Sequence, residues 1–176
     1  MGGAGNDTIF AGSGDDVIIA GIGGTDSYEG GAGQDVLSYA TQTTGVVVNL
    51  ATNSVNGAAF GDVIAGIENI DGSNHADTLT GSNADNTLYG NAGDDFINGV
   101  DGSDKIYGGA GSDSLEGGDS DDSVFGGDAF DHVHGGDGND KLYGGGSGDH
   151  MKGDAGNDSI YGGDGDDTMN GNDGND

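Results

Sequence analysis

The chain repeats itself every nine residues. The repeat reads GGxGxDxUx, where U is a large apolar residue, and two clean copies are GGAGNDTIF (2–10) and GGDGNDKLY (135–143). From Gly72 to Asn170 the period holds without slippage for 99 residues, which is eleven copies. A strict short period of this kind is typical of a solenoid, in which each unit packs only against its neighbours.

The repeats fall into two blocks separated by an insert. The first block, residues 1–38, holds four copies, of which 20–29 has one extra residue; the second block covers 72–176. The insert, 39–71, carries the β-branched run Val46–Val48, which predicts a strand. We expect the insert to continue or cap the solenoid. Because neither end of the chain has a polar cap, we also expect a fragment of a longer protein.

The eighth position of the repeat is the predicted core. All fifteen copies place an apolar or aromatic residue there: Ile9, Ile18, Tyr28, Leu37, Leu79, Leu88, Ile97, Ile106, Leu115, Val124, Val133, Leu142, Met151, Ile160 and Met169. One such side chain contributes roughly 2 kcal/mol on burial. Ordering each residue of the backbone costs about 1–2 kcal/mol. Hydrophobic burial alone therefore cannot fold the repeats, and something must bind the folded state.

The composition indicates what could bind. The chain has 32 acidic and three basic residues, for a net charge of −29, and only Glu29, Glu68 and Glu116 among the acids are not Asp. Short carboxylates in glycine-rich turns favour a hard cation such as calcium, which takes oxygen ligands. The charge argues against nucleic acid and anionic membranes as partners. The absence of cysteine excludes disulfides and thiolate metal sites, and no apolar run is long enough to span a membrane.

The sixth position of the repeat holds the candidate metal ligands. These are Asp7, Asp16, Asp26, Asp35, Asp77, Asp95, Asp104, Asp113, Asp122, Asp131, Asp140, Asp149, Asp158, Asp167 and Asp176. Asn86 is the one exception in this column. No arrangement of nucleophile and base is apparent, and a carboxylate pair that recurs along a stack is typical of a structural metal array rather than an active site. We therefore predict that the chain is not an enzyme.

The nonapeptide resembles the calcium-binding repeat of the RTX (repeats-in-toxin, hemolysin-type) family over most of the chain. The resemblance implies an all-β fold, a right-handed parallel β-roll with two nonapeptides per turn and calcium ions between stacked loops. Pairing the sixth-position carboxylates of every second repeat then gives about eleven calcium sites. It also implies a secreted, extracellular protein exported by type I secretion. The chain would be its non-catalytic, calcium-dependent folding module; alternatives are an accessory module of a secreted protease, lipase or epimerase, or of an adhesin.

Departures from the repeat predict weak sites. His75, Ala84 and Asn86 should weaken calcium binding at the start of the second block, and Ala129 with Phe130 should loosen a later loop. The extra residue of copy 20–29 puts the site around Asp26 in doubt.

Two features of the predicted outer face invite other interpretations. Aromatic residues recur every 18 residues at the ninth position, which predicts a ladder that stabilises the sheet or meets a partner: Tyr89, Tyr107, Phe125, Tyr143 and Tyr161. His132 and His150 should be ladder neighbours beside His134 and Lys152. These histidines could form a weak zinc site, but we favour the simpler interpretation that they are exposed residues of the strands.

Overall fold

A computed structural model describes residues 1–57, 59 and 61–176, and in this part of the chain the regular structure consists of strands alone. The strands stack into a β-solenoid of about nine turns. The strands of the first block and the insert are β1 (Thr8–Ser13), β2 (Val17–Ile19), β3 (Ser27–Ala32), β4 (Val36–Ser38), β5 (Val46–Asn49), β6 (Ser54–Gly57), β7 (Val63–Ala65) and β8 (Asn69–Asp71).

The second block continues with three-residue and then six-residue strands. They are β9 (Thr78–Thr80), β10 (Thr87–Ala92), β11 (Phe96–Asp101), β12 (Lys105–Ala110), β13 (Ser114–Asp119), β14 (Ser123–Asp128), β15 (His132–Asp137), β16 (Lys141–Gly146), β17 (His150–Ala155), β18 (Ser159–Asp164) and β19 (Thr168–Asp173). None of the described residues forms a helix long and apolar enough to cross a membrane.

Two sheets form the opposite walls of the solenoid. The odd-numbered strands, with β6, make an eleven-stranded sheet, and the other even-numbered strands make an eight-stranded sheet. In the second block each residue pairs with the residue 18 positions later, as Lys105 does with Ser123. Two nonapeptides therefore make one turn, and the predicted parallel β-roll is confirmed. In the first block the offset is 19, as between Val17 and Val36, because copy 20–29 has its extra residue.

The core runs between the two sheets. The eighth-position side chains are buried from Ile18 to Met151, with Leu79, Leu88 and Ile97 fully enclosed. Toward the ends of the solenoid, Ile9 and Ile160 are partly buried and Met169 is 52% exposed, because each has a neighbouring turn on fewer sides. The predicted core column is confirmed for the inner turns.

The insert continues the solenoid and also widens it. Strands β7 and β8 stack on β3 and β4 in parallel, so they make a further turn. Strands β5 and β6 form an antiparallel hairpin that lies between β7 and β9 in the eleven-stranded sheet only. The strand predicted at Val46–Val48 is confirmed as part of β5. The limits drawn between the repeat blocks and the insert stay a prediction.

Candidate metal sites

The sixth-position residues form two columns, one at the entry to each sheet. Within each repeat block, the backbone N–H of one member donates to Oδ1 of the next member in its column: Asp95 N donates to Asp113 Oδ1 at 2.8 Å, and Asp104 N donates to Asp122 Oδ1 at 2.7 Å. One column holds Asp7, Asp26, Asp77, Asp95, Asp113, Asp131, Asp149 and Asp167. The other holds Asp16, Asp35, Asn86, Asp104, Asp122, Asp140, Asp158 and Asp176.

The second oxygen of most of these carboxylates is buried and accepts no hydrogen bond. Among the described residues this holds for Oδ2 of Asp16, Asp35, Asp95, Asp104, Asp113, Asp122, Asp131, Asp140, Asp149 and Asp158. The only other buried side-chain atom without a partner there is Tyr39 Oη. Buried polar atoms in folded proteins are almost always satisfied, so a series of ten equivalent exceptions indicates a ligand.

Nine of the ten orphaned oxygens face a small space beside the first glycine of their repeat. The exception is Asp16, whose repeat begins with Ala11. A Cβ on Gly126 would meet Asp131 Oδ2 and would lie 2.5 Å from the carbonyl oxygen of Gly144, two repeats further along. The same holds for Gly117 with Asp122 Oδ2 and the Gly135 carbonyl, again at 2.5 Å from that carbonyl. Side-chain and main-chain oxygens therefore converge where only glycine leaves room for them.

The carboxylates are electrostatically strained without a counter-charge. Burial raises the pKa of Asp95, Asp104, Asp122 and Asp131 to about 7 and that of Asp140 to about 6. The backbone N–H bond to each carboxylate acts in the opposite direction and lowers its pKa, while neighbouring carboxylates raise it further. Burial also raises the pKa of Asp113 and Asp149. A cation beside these oxygens would remove the cause of the shifts.

The donor set suits calcium better than a transition metal. We call each space beside the first glycine, with the oxygens that line it, a cradle. The ligand atoms in a cradle are oxygens, and calcium takes six to eight oxygens from carboxylates and carbonyls. In the described part of the chain no group of three or more His, Cys, Asp or Glu side chains is placed to hold a metal ion. That result does not conflict with calcium, because each predicted site would combine two carboxylates with main-chain carbonyls. It gives no support to a zinc site at the histidines.

The columns also pass through the insert. Two acidic residues there belong to the columns although they were not among the predicted ligands. Asp62 Oδ1 accepts the N–H of Asp26 at 2.8 Å, and Glu68 Oε2 accepts the N–H of Asp35 at 2.9 Å. The signal was present in the sequence, since Asp62 and Glu68 each begin a D/E-x-U-x tetrapeptide that ends in a strand. It was hidden because Ile64 and Ile70 are six residues apart instead of nine.

The sequence predicted that Ala129 and Phe130 would loosen their loop, but the loop keeps the conformation of the regular copies. Ala129 adopts a left-handed backbone conformation (φ 75°) at a position where most copies have glycine. The Phe130 ring lies on the outer face, edge-on to His132 at 4.9 Å and to His150 at 5.0 Å. Asp131 Oδ2 remains buried and without a donor, as in the regular copies. A weakened site there stays a prediction.

The two predicted features of the outer face are present. The five ninth-position aromatics stack with centroids 4.7–5.0 Å apart and planes within 9° of parallel, so the ladder is confirmed. His132 and His150 are register partners on β15 and β17, with ring centroids 5.4 Å apart, and His134 Nδ1 lies 3.7 Å from Asp154 Oδ2.

Comparison with known proteins agrees with this geometry. The family model described as RTX calcium-binding nonapeptide repeat (4 copies) matches residues 1–24, 71–106, 98–131, 117–150 and 143–176. The chain belongs to this family. No curated protein matches the chain. Membership in the RTX family supports calcium as the ion for the two columns, while the individual ligands named above, from Asp7 to Asp176, stay predictions.

Proposed function

We propose that this RTX chain is a non-catalytic module of a secreted protein and that it folds when it binds calcium. The observation that carries the proposal is the series of ten buried Asp Oδ2 atoms without a hydrogen-bond donor. All but that of Asp16 lie beside a main-chain carbonyl in a space that only glycine leaves open. A set of buried anionic oxygens in this arrangement requires a cation to be stable.

The same residues couple binding to folding. In the unfolded chain the carboxylates are hydrated and far apart, so the calcium cradles exist only after two turns have stacked. The net charge of −29 opposes compaction until positive charge is bound. Asp side chains would hold calcium through Oδ2, while their Oδ1 atoms keep the loops in register through the backbone N–H bonds.

The arrangement supports at least seven sites strongly. Seven same-column pairs have an orphaned Oδ2 on both members: three in each column of the second block, and Asp16 with Asp35 in the first. The pairs that end at Asp167 and Asp176 lie at exposed turns. The earlier count of about eleven also included pairs with Asp26 and Asp77, whose oxygens have protein donors. We therefore expect seven to nine ions to bind tightly.

A secreted location follows from calcium availability. Extracellular modules commonly bind calcium at about 10⁻⁴–10⁻³ M, far above cytosolic concentrations. An RTX chain with these sites would stay unfolded inside the cell and fold outside, which suits export by type I secretion. An accessory role beside an enzyme or within an adhesin is the alternative. The partly exposed aromatic ladder is the surface that an adhesin would use, although stacking between neighbouring rings also accounts for it.

A calcium titration tests the proposal. Far-UV circular dichroism should show a cooperative gain of β structure, and calorimetry should count seven to nine ions. Asp122→Asn removes a carboxylate shared by the pairs with Asp104 and Asp140, so it should lose up to two ions and raise the calcium midpoint about tenfold.

Asp121→Asn is the matched control, because Asp121 is the exposed neighbour in the same loop. It should leave the number of bound ions unchanged. A chain that shows its full β signal in chelator, with no further change on adding calcium, would contradict the proposed function.

A further inference from the structure

In one part of the solenoid, hydrogen bonds from other protein groups satisfy the side chains of both columns. We call residues 39–89, the insert and the first two copies of the second block, the seam; residues 90–176 are the array. In the seam, Asp77 Oδ1 accepts the N–H of Val46 at 2.7 Å and the hydroxyl of Ser73 at 2.8 Å. Asp77 Oδ2 accepts the N–H of Ser73 at 2.6 Å. Both oxygens of Asp77 are therefore satisfied here, including Oδ2, the atom that would face a cation in the array.

In the other column of the seam, the side chain at the sixth position is Asn86, and both of its polar atoms are also hydrogen-bonded. Its Nδ2 donates to the carbonyl oxygen of Glu68 at 2.6 Å, and its Oδ1 accepts the N–H of Ser82 at 2.6 Å. The Asn86 Oδ1 lies beside Gly81, where an Asp of the array has its orphaned Oδ2, and here the atom is uncharged and has a donor. The seam has a single buried side-chain atom without a partner among its described residues, the neutral Tyr39 Oη.

The seam also has a denser core and a lower charge. Eleven of its described residues are buried apolar side chains, whereas the array of 87 residues has seven. The seam carries five acidic and no Lys or Arg residues; the array carries 21 acidic residues and three Lys. More apolar burial and less repulsion per residue both favour folding without a bound cation.

Local contacts favour early folding of the seam. Strands β5 and β6 pair across a short turn, in which Asn49 Oδ1 accepts the N–H of Thr52 at 2.8 Å and Asn53 adopts the left-handed conformation (φ 52°). A hairpin of this kind forms with little loop-closure entropy, in contrast to pairs of strands 18 residues apart.

We infer that the seam is a calcium-independent folding nucleus, and that it presents β9 and β10 as templates on which the calcium-dependent array orders turn by turn. The edges are available for this, since β11 pairs directly with β9 and β12 with β10. The inference rests on the proposed function for the array, but it assigns the opposite property to residues 39–89. It makes Asn86 the residue whose neutral amide removes the need for a cation in its column.

Hydrogen exchange of the full chain at neutral pH tests this inference. In chelator, amides of β5 and β7–β9 should exchange about tenfold or more slowly relative to those of β12–β18, and calcium should then protect the array. A seam that exchanges as fast as the array in chelator would overturn the nucleus while leaving the calcium-dependent fold intact. Calcium that protects no segment would instead overturn the proposed function.

Asn86→Asp sharpens the experiment. It replaces the donor to Glu68 by an anionic oxygen, so the seam should lose about tenfold of its protection in chelator, and the chain should bind one more ion in calcium. Asn157→Asp adds the same charge in an exposed loop, where other copies already carry Asp, and should change neither quantity. Unchanged protection of the seam in Asn86→Asp would show that the neutral amide is not what lets the seam fold without calcium.

Discussion

The seam and the array belong to one solenoid, but the polar side chains at their sixth positions are satisfied differently. In the array, Asp104 and Asp122 each leave a buried carboxylate oxygen that needs a cation. In the seam, Asp77 and Asn86 occupy equivalent positions, and donors from Ser73, Val46 and Ser82 satisfy their oxygens. The repeat geometry therefore does not itself require metal. The requirement comes from having a carboxylate there without a protein donor.

The difference also explains how one solenoid can combine stable and conditional regions. Apolar side chains stabilise the seam under any ionic condition, because their burial depends on area and not on solutes. Under the proposed function, the stability of the array would depend on the concentration of a ligand that binds only the folded form. Four perturbations would break or sharpen this contrast.

Acidification should have the largest effect, because many carboxylates respond together. The pKa values of Asp95, Asp104, Asp122 and Asp131 are raised to about 7 in the folded array, against about 3.9 in an unfolded chain. The folded array therefore binds protons more tightly than the unfolded chain does. This contribution to stability is fully present below about pH 4 and is lost as the pH rises through about 7.

In chelator, the chain should consequently gain β structure as the pH falls from 8 to 5, because protons replace the missing counter-charge. Far-UV circular dichroism measures the gain, and hydrogen exchange at each pH would assign it to the array. Equal spectra at pH 8 and pH 5 in chelator would mean that charge repulsion does not control folding of the array.

Truncation of the core should distinguish the regions next. Ile70 is fully buried on β8, with Leu37 and Leu88 as register neighbours. Ile70→Ala should destabilise the seam by about 3 kcal/mol through lost burial and a residual cavity. The loss should appear in urea unfolding with and without calcium. Met169→Ala, at a half-exposed core position of β19, should cost less than about 0.5 kcal/mol. An effect of Ile70→Ala in calcium alone would contradict a calcium-independent seam.

Sequence reasoning predicted the array well, because every position there repeats. The period of nine located the buried column from Ile97 to Met151 and the carboxylate columns, and the spacing of 18 placed Tyr107 against Phe125 in the ladder. These features depend only on which residues share a place in the repeat. Their surroundings are set by identical neighbours above and below.

The seam was harder to predict because its contacts reverse the chain order. The sequence indicates a strand at Val46–Val48, but nothing local shows that the β5–β6 hairpin enters the sheet between β7 and β9. The roles of Asp62 and Glu68 were missed for the same reason: their place in the columns depends on the stacking of β7 and β8, not on the nine-residue count. That Asn86 has a donor function also became apparent only once Glu68 was placed beside it.

A glycine substitution in the array tests the geometry of one cradle, with a smaller expected effect. Gly126→Ala would place Cβ against Asp131 Oδ2 and 2.5 Å from the Gly144 carbonyl oxygen, so it should cost about 2 kcal/mol and raise the calcium midpoint. Gly146→Ala is the control, since the nearest atom to its Cβ would be the Gly127 carbonyl oxygen at 3.9 Å. It should be neutral or slightly stabilising. Equal calcium midpoints for the two variants would argue against oxygens converging at the first glycine.

The aromatic ladder should give the smallest effect, because it supports the array without contacting the carboxylate columns. Phe125 stacks between Tyr107 at 4.8 Å and Tyr143 at 4.7 Å. Phe125→Ala should destabilise the chain by about 1 kcal/mol, which lowers the thermal midpoint with calcium bound by a few degrees, and should leave the number of bound ions unchanged.

Phe96→Ala is the control. It removes a half-exposed ring whose register neighbours are Thr78 and Ser114, and should cost less than about 0.5 kcal/mol. If Phe125→Ala lowered the number of bound ions, the ladder would be helping to shape the calcium cradles, and the array would not be held by its carboxylate columns alone.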